Sequence, residues 1–222
     1  MQKAKILFIN SAKDCRTLNG FSWLLEEGKT YTLGRKSNNT AGVDIDLSFD
    51  PSVSRNHADV WFEDKSWKIR DKSTYGTRLN GEAILADKPV DLRFDDEISV
   101  GNKTTLAFIP ARRQTFFLKG AWVEIELSDT LNCALVFNGL PFLQKIVIRN
   151  CAEAASPPSK LRLSLGNLVD VSFDTPGIEP GEKFILQPDL KIAPELLEGQ
   201  IETAAASLKI FINDHPIGEK EI

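Results

Sequence analysis

The sequence predicts an all-β protein made of two β-sandwiches in series. Three observations carry that expectation. The chain is cut into short runs in which apolar and polar residues alternate, the period of a half-buried strand. Turn-forming pairs such as Asn19-Gly20, Glu27-Gly28, Asn80-Gly81 and Gly101-Asn102 separate the runs. The length, 222 residues, suits two domains better than one.

Eleven strands are expected in residues 1–110. They are AKILFI (4–9), FSWLLE (21–26), KTYTLG (29–34), VDIDL (43–47), HADVWFE (57–63), SWKIRD (66–71), GTRLN (76–80), EAIL (82–85), PVDLRF (89–94), EISVG (97–101) and TTLAFI (104–109). None has helical periodicity, and strands this short and closely spaced make a sandwich. Residues 111–119 read as a linker, because a proline and a basic pair interrupt the pattern there. Residues 120–222 return to alternation. AWVEIEL (121–127), NCALVFNG (132–139), LQKIVIRNC (143–151), KLRLSLG (160–166), LVDVSF (168–173), EKFILQPDLKI (182–192) and SLKIFIND (207–214) are the expected strands. A helical turn is expected at Ala193–Leu197, and a turn at His215–Gly218 that leaves a short last strand.

Composition narrows the function. Two histidines (His57, His215) and three cysteines with no CxxC pair leave no zinc site and little for acid–base chemistry, so neither an enzyme nor a metal or other cofactor is expected. The odd cysteine count argues against a disulfide framework. No apolar run is long enough to span a bilayer or act as a signal peptide, so a cytoplasmic protein with no membrane partner is expected. Residues 1–110 carry 16 Lys/Arg and 16 Asp/Glu, and residues 111–222 carry 11 and 15. Nucleic acid is therefore not an expected partner, since such domains usually carry a basic excess.

Three short motifs fall in loops of the first half. Gly34-Arg35 ends a strand, Ser54-Arg55-Asn56-His57 opens another, and Thr74-Tyr75-Gly76-Thr77-Arg78-Leu79-Asn80-Gly81 follows a third. In this order they resemble the forkhead-associated (FHA) domain, a phosphothreonine-binding β-sandwich whose pattern is GR, SxxH and (S/T)xGTxxNG. The resemblance covers residues 1–110. It implies a threonine-phosphorylated protein as partner and a site of Arg35, Ser54, Arg55, Thr74 and Tyr75, supported by Gly34, His57, Gly76, Asn80 and Gly81. The residue types fit that chemistry. A phosphoester near two negative charges calls for a planar, always-charged donor such as Arg35, and for short hydroxyl donors such as Ser54 and Thr74. Taken singly, Arg35 also fits a surface ion pair, and Ser54 or Thr74 a turn hydroxyl. The family's histidine is a brace rather than a catalyst, which implies the same for His57. Asn80-Gly81 suits a tight hairpin turn.

The sequence departs from the family at two places. Tyr75 stands where many members have an asparagine that contacts the peptide backbone, which alters recognition beside the phosphothreonine. Ser52 stands where some relatives carry a basic residue that selects an acidic residue three places downstream. The second half more faintly resembles an immunoglobulin-like N-terminal module of large bacterial helicase–nuclease proteins, through residues 123–150 and 178–197. That likeness implies a scaffold or interaction role, and a chain that is the N-terminal part of something larger. Two other readings remain open: a structural domain with a vestigial phosphate pocket, and the adaptor region of a nucleic-acid-processing enzyme.

Overall fold

The structure, a computed structural model, describes residues 3–10, 21–37, 42–118, 120–128, 138–139, 141–166, 169–188, 190 and 207–221. Among these, every regular element is a strand. The chain divides into two compact units, Met1–Arg112 and Arg113–Ile222.

The first unit holds β1 (Ala4–Asn10), β2 (Ser22–Leu25), β3 (Tyr31–Gly34), β4 (Ile45–Asp46), β5 (Ala58–Glu63), β6 (Ser66–Asp71), β7 (Thr77–Leu79), β8 (Glu82–Ala83), β9 (Val90–Leu92), β10 (Glu97–Val100) and β11 (Thr104–Pro110). All eleven expected strands are there, several trimmed at their ends. They form a six-stranded sheet, β2-β1-β11-β10-β7-β8, and a five-stranded sheet, β4-β3-β5-β6-β9. Every pair is antiparallel except β3 with β4. Alternation puts Trp67, Ile69 and Asp71 of β6 inward, and Ile98 and Val100 of β10 likewise. Side chains of both sheets close one apolar core around Ile6, Leu33, Val60, Ile69, Leu106 and Phe108. Trp67 meets Phe108 edge-on at 6.0 Å between ring centres, a favoured aromatic geometry. Burying such a core supplies most of the driving force for this unit.

The second unit holds β12 (Gln114–Leu118), β13 (Ala121–Leu127), β14 (Leu143–Asn150), β15 (Ser159–Leu165), β16 (Val169–Thr175), β17 (Lys183–Leu186), β18 (Ser207–Ile212) and β19 (His215–Glu221). Two four-stranded antiparallel sheets, β12-β13-β14-β17 and β16-β15-β18-β19, share a core around Val123, Ile125, Ile146, Leu161, Leu163 and Ile210.

Three expectations fail in this unit. Most of the supposed linker 111–119 is strand: β12 pairs along β13, with Phe116 opposite Val123. The basic pair read as interrupting the pattern does not end it, because Arg113 is buried and its guanidinium reaches Glu124 at 2.8 Å and Glu126 at 2.9 Å. The supposed turn at His215–Gly218 is instead the start of seven-residue β19. The turn lies earlier, at Asn213-Asp214, whose φ angles of 48° and 62° suit a tight hairpin. Strand 182–192 is shorter than expected, ending at Leu186, with Leu190 making an isolated bridge to Leu143. The expected helical turn at Ala193–Leu197 and most of the expected strand 132–139 lie outside the described residues.

Candidate functional site

Three loops meet at one end of the first sandwich, and backbone contacts dictate how. β3 ends at Gly34, and there the chain runs against the loop between β4 and β5. A Cβ on Gly34 would lie 2.0 Å from the Arg55 carbonyl oxygen, so only glycine allows this approach. The next amide, of Arg35, donates to the Ser54 carbonyl at 3.1 Å. Arg35 Nε donates to the Val53 carbonyl at 2.5 Å. The guanidinium is thus fixed at its Nε edge, and among the described residues it pairs with no carboxylate. Its two terminal nitrogens remain to act as a fork for an anion.

The Ser54 loop joins the β6–β7 loop directly. Ser54 Oγ accepts from the Thr74 amide at 3.2 Å. A hydroxyl that accepts one bond keeps its own proton to donate. Thr74 is exposed beside it. The structure therefore brings Arg35, Ser54 and Thr74 into one bonded group.

His57 sits beneath this group, fully buried. Its Nδ1 accepts from the Ser54 amide at 3.0 Å, which places the ring proton on Nε2. Its own amide donates to the Leu33 carbonyl, and its carbonyl accepts from the Lys72 amide, both at 2.8 Å. One residue thus touches all three chain segments. Burial lowers the His57 pKa below the usual 6.5, against the opposing pull of Asp71, the Gly76 backbone and Asp50. With Nδ1 accepting a backbone amide, the ring is placed as an acceptor and not as a cation.

Three aspartates hold the loops in shape by one repeated device. In Asp46-Leu47-Ser48, Asp50-Pro51-Ser52 and Asp71-Lys72-Ser73, the carboxylate accepts the serine amide two residues on, each time at 3.0 Å. This is the Asx turn, a side chain mimicking a backbone turn. Each turn then bonds outward. Asp50 also accepts from the Thr104 hydroxyl, and Ser52 Oγ from the Asn102 amide, both at 2.8 Å. Asp71 accepts from the buried Thr77 hydroxyl at 2.8 Å. Ser73 Oγ accepts the Gly76 amide at 2.7 Å, and Gly76 has φ +90°, a conformation natural to glycine. Burial alone would raise the Asp50 carboxyl. Bonds from Ser52 and Thr104 outweigh it and hold the pKa below the ordinary value. Reading residues singly missed these aspartates, although the Asp-x-Ser spacing was the signal that carries them. The Ser52 hydroxyl is committed inward, donating to Asp50 at 2.5 Å and accepting from the Asn102 amide.

The remaining expected site residues fall outside this bonded group. The Arg55 side chain is exposed and makes no ion pair among the described residues. Tyr75 projects from the loop, 77% exposed. Asn80 and Gly81 stand at the other end of β7. Their φ angles of 52° and 86° fit a tight hairpin turn. Asn80 binds the Asp96 carboxylate at 2.8 Å and the Glu97 amide at 2.9 Å, so it braces the β9–β10 turn rather than the loops around Arg35.

Cations dominate the loop tips. Arg35, Lys36, Arg55 and Lys72 lie there. Lys36 is shared with Asp46 at 3.9 Å and Lys72 with Asp59 at 2.5 Å, leaving Arg35 and Arg55 to face an anion. Burial would raise the Asp59 carboxyl, but Lys72 and Arg70 outweigh it and hold it low. Among the described residues no cluster of three or more His, Cys, Asp or Glu side chains is placed to hold a metal ion.

Residues 31–101 match the family model of the FHA domain. Nibrin from Danio rerio is 33% identical over 82 residues, which is 37% of this chain and 9% of that protein's length. The FHA domain of CT664 from Chlamydia trachomatis is 26% identical, with a TM-score of 0.39, covering 48% of this chain and 96% of that one. The MEK1 FHA domain solved with a phosphothreonine peptide of HOP1 is 23% identical, with a TM-score of 0.38, covering 49% and 96%. Each matches only about half of this chain or less. The first unit carries an FHA domain.

Proposed function

We propose that the first unit binds a threonine-phosphorylated protein and so recruits the rest of the chain to it. The observation that carries this reading is the state of Arg35. Its backbone amide and Nε are bonded to the Ser54 loop, its outer nitrogens meet no carboxylate among the described residues, and the Ser54 hydroxyl of that loop bonds the amide of exposed Thr74 on the next. An arginine held in place without a counter-ion is suited to a doubly charged phosphoester, whose oxygens accept from the guanidinium fork and the hydroxyls together. Removing the phosphate removes the ligand, so phosphorylation acts as the switch. The second unit, two antiparallel sheets over one core, is read as an immunoglobulin-like scaffold or interaction domain, and the protein as cytoplasmic.

Calorimetry tests the reading with matched phosphothreonine, phosphoserine and unphosphorylated peptides from a degenerate library. Phosphothreonine peptides bind and unphosphorylated ones do not. Arg35→Ala abolishes that binding while unfolding in urea changes by only about 1 kcal/mol, the size of one lost hydrogen bond. Equal binding of all three peptide types sinks the reading in favour of a vestigial pocket. Loss of binding to single-stranded DNA at steeply rising salt would instead favour a nucleic-acid adaptor.

A further inference from the structure

Tyr75 is the most exposed large side chain with an apolar body among the described residues, at 77%. A tyrosine ring left in water is ordinary on a loose loop, but this loop is braced. The residue before it, Thr74, is bonded through its amide to Ser54 Oγ. The residue after it, Gly76, is bonded through its amide to Ser73 Oγ, and Ser73 is in turn held by Asp71. The backbone that presents the ring is therefore tied on both sides, and on one side to the very hydroxyl proposed to meet the phosphate. No other ring stacks on Tyr75 and no cation covers it among the described residues.

Consecutive Cα atoms lie about 3.8 Å apart, both in this loop and in a bound peptide. A peptide whose phosphate reaches Arg35, Ser54 and Thr74 brings its neighbouring residues alongside the loop position that follows Thr74, which is Tyr75. The ring offers a wide apolar face and a single hydroxyl, so it rewards apolar contact and cannot grip a backbone amide by two bonds. A braced backbone also leaves little loop ordering to be lost on binding. The charges nearby select further: Arg35 and Arg55, which meet no carboxylate among the described residues, repel a basic neighbour.

Resting on the phosphothreonine reading, we infer that Tyr75 is a specificity residue that packs on the residue directly flanking the phosphothreonine and selects a large apolar side chain there over a small or a basic one. The experiment uses the full chain and synthetic phosphothreonine peptides carrying Leu, Ala or Lys at the position just before or just after the phosphothreonine. Affinities are measured by calorimetry for the wild type, Tyr75→Phe and Tyr75→Ala. At one of the two positions Leu binds about 5-fold tighter than Ala, as partial burial of a leucine side chain gives, and Lys binds more weakly than Ala. Tyr75→Phe keeps that preference. Tyr75→Ala shrinks it below about 2-fold while binding still requires the phosphate. Two results overturn the inference and leave the phosphothreonine reading intact: equal binding of Leu and Ala peptides at both positions, or a preference that survives Tyr75→Ala. Binding that ignores the phosphate overturns both.

Discussion

The two units bury polar side chains to different ends. In the first, Asp50, His57, Asp71, Thr77 and Thr104 are buried where loops join strands, and each spends its bonds on a loop. In the second, the buried charges satisfy one another. Glu124, wholly buried, accepts from Arg113 at 2.8 Å and from Arg149 at 2.5 Å, and Glu126 accepts from Arg113. The first arrangement fixes loops and, among the described residues, leaves Arg35 without an acid. The second matches its buried Glu124 and Glu126 to Arg113 and Arg149. The lesson is that a buried polar residue marks a site only when its bonds end on segments that still carry an unmatched charge. Burial alone does not separate a recognition end from an internal ion network.

The comparison can be broken at four points. The largest effect is expected at Glu124→Ala, which removes the buried carboxylate that Arg113 and Arg149 share and leaves Glu126 alone to face Arg113. Removing one partner of a buried pair costs about 3–5 kcal/mol, read as a lower urea midpoint. A change under about 1 kcal/mol would mean the second unit does not depend on its ion network.

Next comes His57→Ala. It deletes a buried ring and leaves the Ser54 amide without its acceptor, at about 2–4 kcal/mol. Phosphopeptide affinity falls with it, because the Ser54 loop loses its brace. A variant that keeps full affinity would remove His57 from the support of the site.

Gly34→Ala follows, at about 1–3 kcal/mol, since its methyl group meets backbone rather than a flexible side chain. Here affinity is expected to drop more than stability does, because the strain falls directly between Arg35 and Ser54. Urea unfolding and peptide titration on one preparation separate the two.

The smallest effect is a pH dependence. The folded state holds the His57 pKa below 6.5, so as pH falls the unfolded chain takes the proton first. Stability is full above 6.5 and declines as pH drops below it toward the lowered folded value. Protonation also removes the Nδ1 lone pair that Ser54 needs. Asp50 and Asp59 have pKa values held below 3.8, so their contribution is kept above that pH and lost only as pH falls through it. Urea unfolding between about pH 7 and 5 therefore isolates the histidine. A His57→Gln variant with an unchanged slope there would refute the assignment.

Much of the first unit is legible in its residues because the governing rule is local. Strict alternation in SWKIRD or EISV assigns strand and inward face with no knowledge of the partner strand. The GR, SxxH and TxGTxxNG motifs point to the loops that meet. Elsewhere the local rule misleads. Arg112-Arg113 reads as part of a linker, yet Arg113 is buried against two glutamates on the neighbouring strand. His215-Pro216 reads as a turn, yet Asn213-Asp214 takes the left-handed angles and frees His215 to begin β19. Asn80-Gly81 reads correctly as a turn, but nothing local says that Asn80 faces Asp96 and Glu97.

By itself, then, the sequence determined the all-β class, the strands of the first unit, and the candidacy of Arg35, Ser54 and Thr74. Only the tertiary structure decided that Gly34 must be glycine, since its obstacle is the carbonyl of Arg55, far along the chain. It alone decided that His57 is a neutral acceptor, that Arg35 keeps its outer nitrogens unmatched among the described residues, and that Tyr75 stands on a braced loop. The physical reason is common to all four. Steric exclusion, desolvation and hydrogen bonding act between atoms that meet in space, and a pattern read along the chain records which groups are present but not which of them are already engaged.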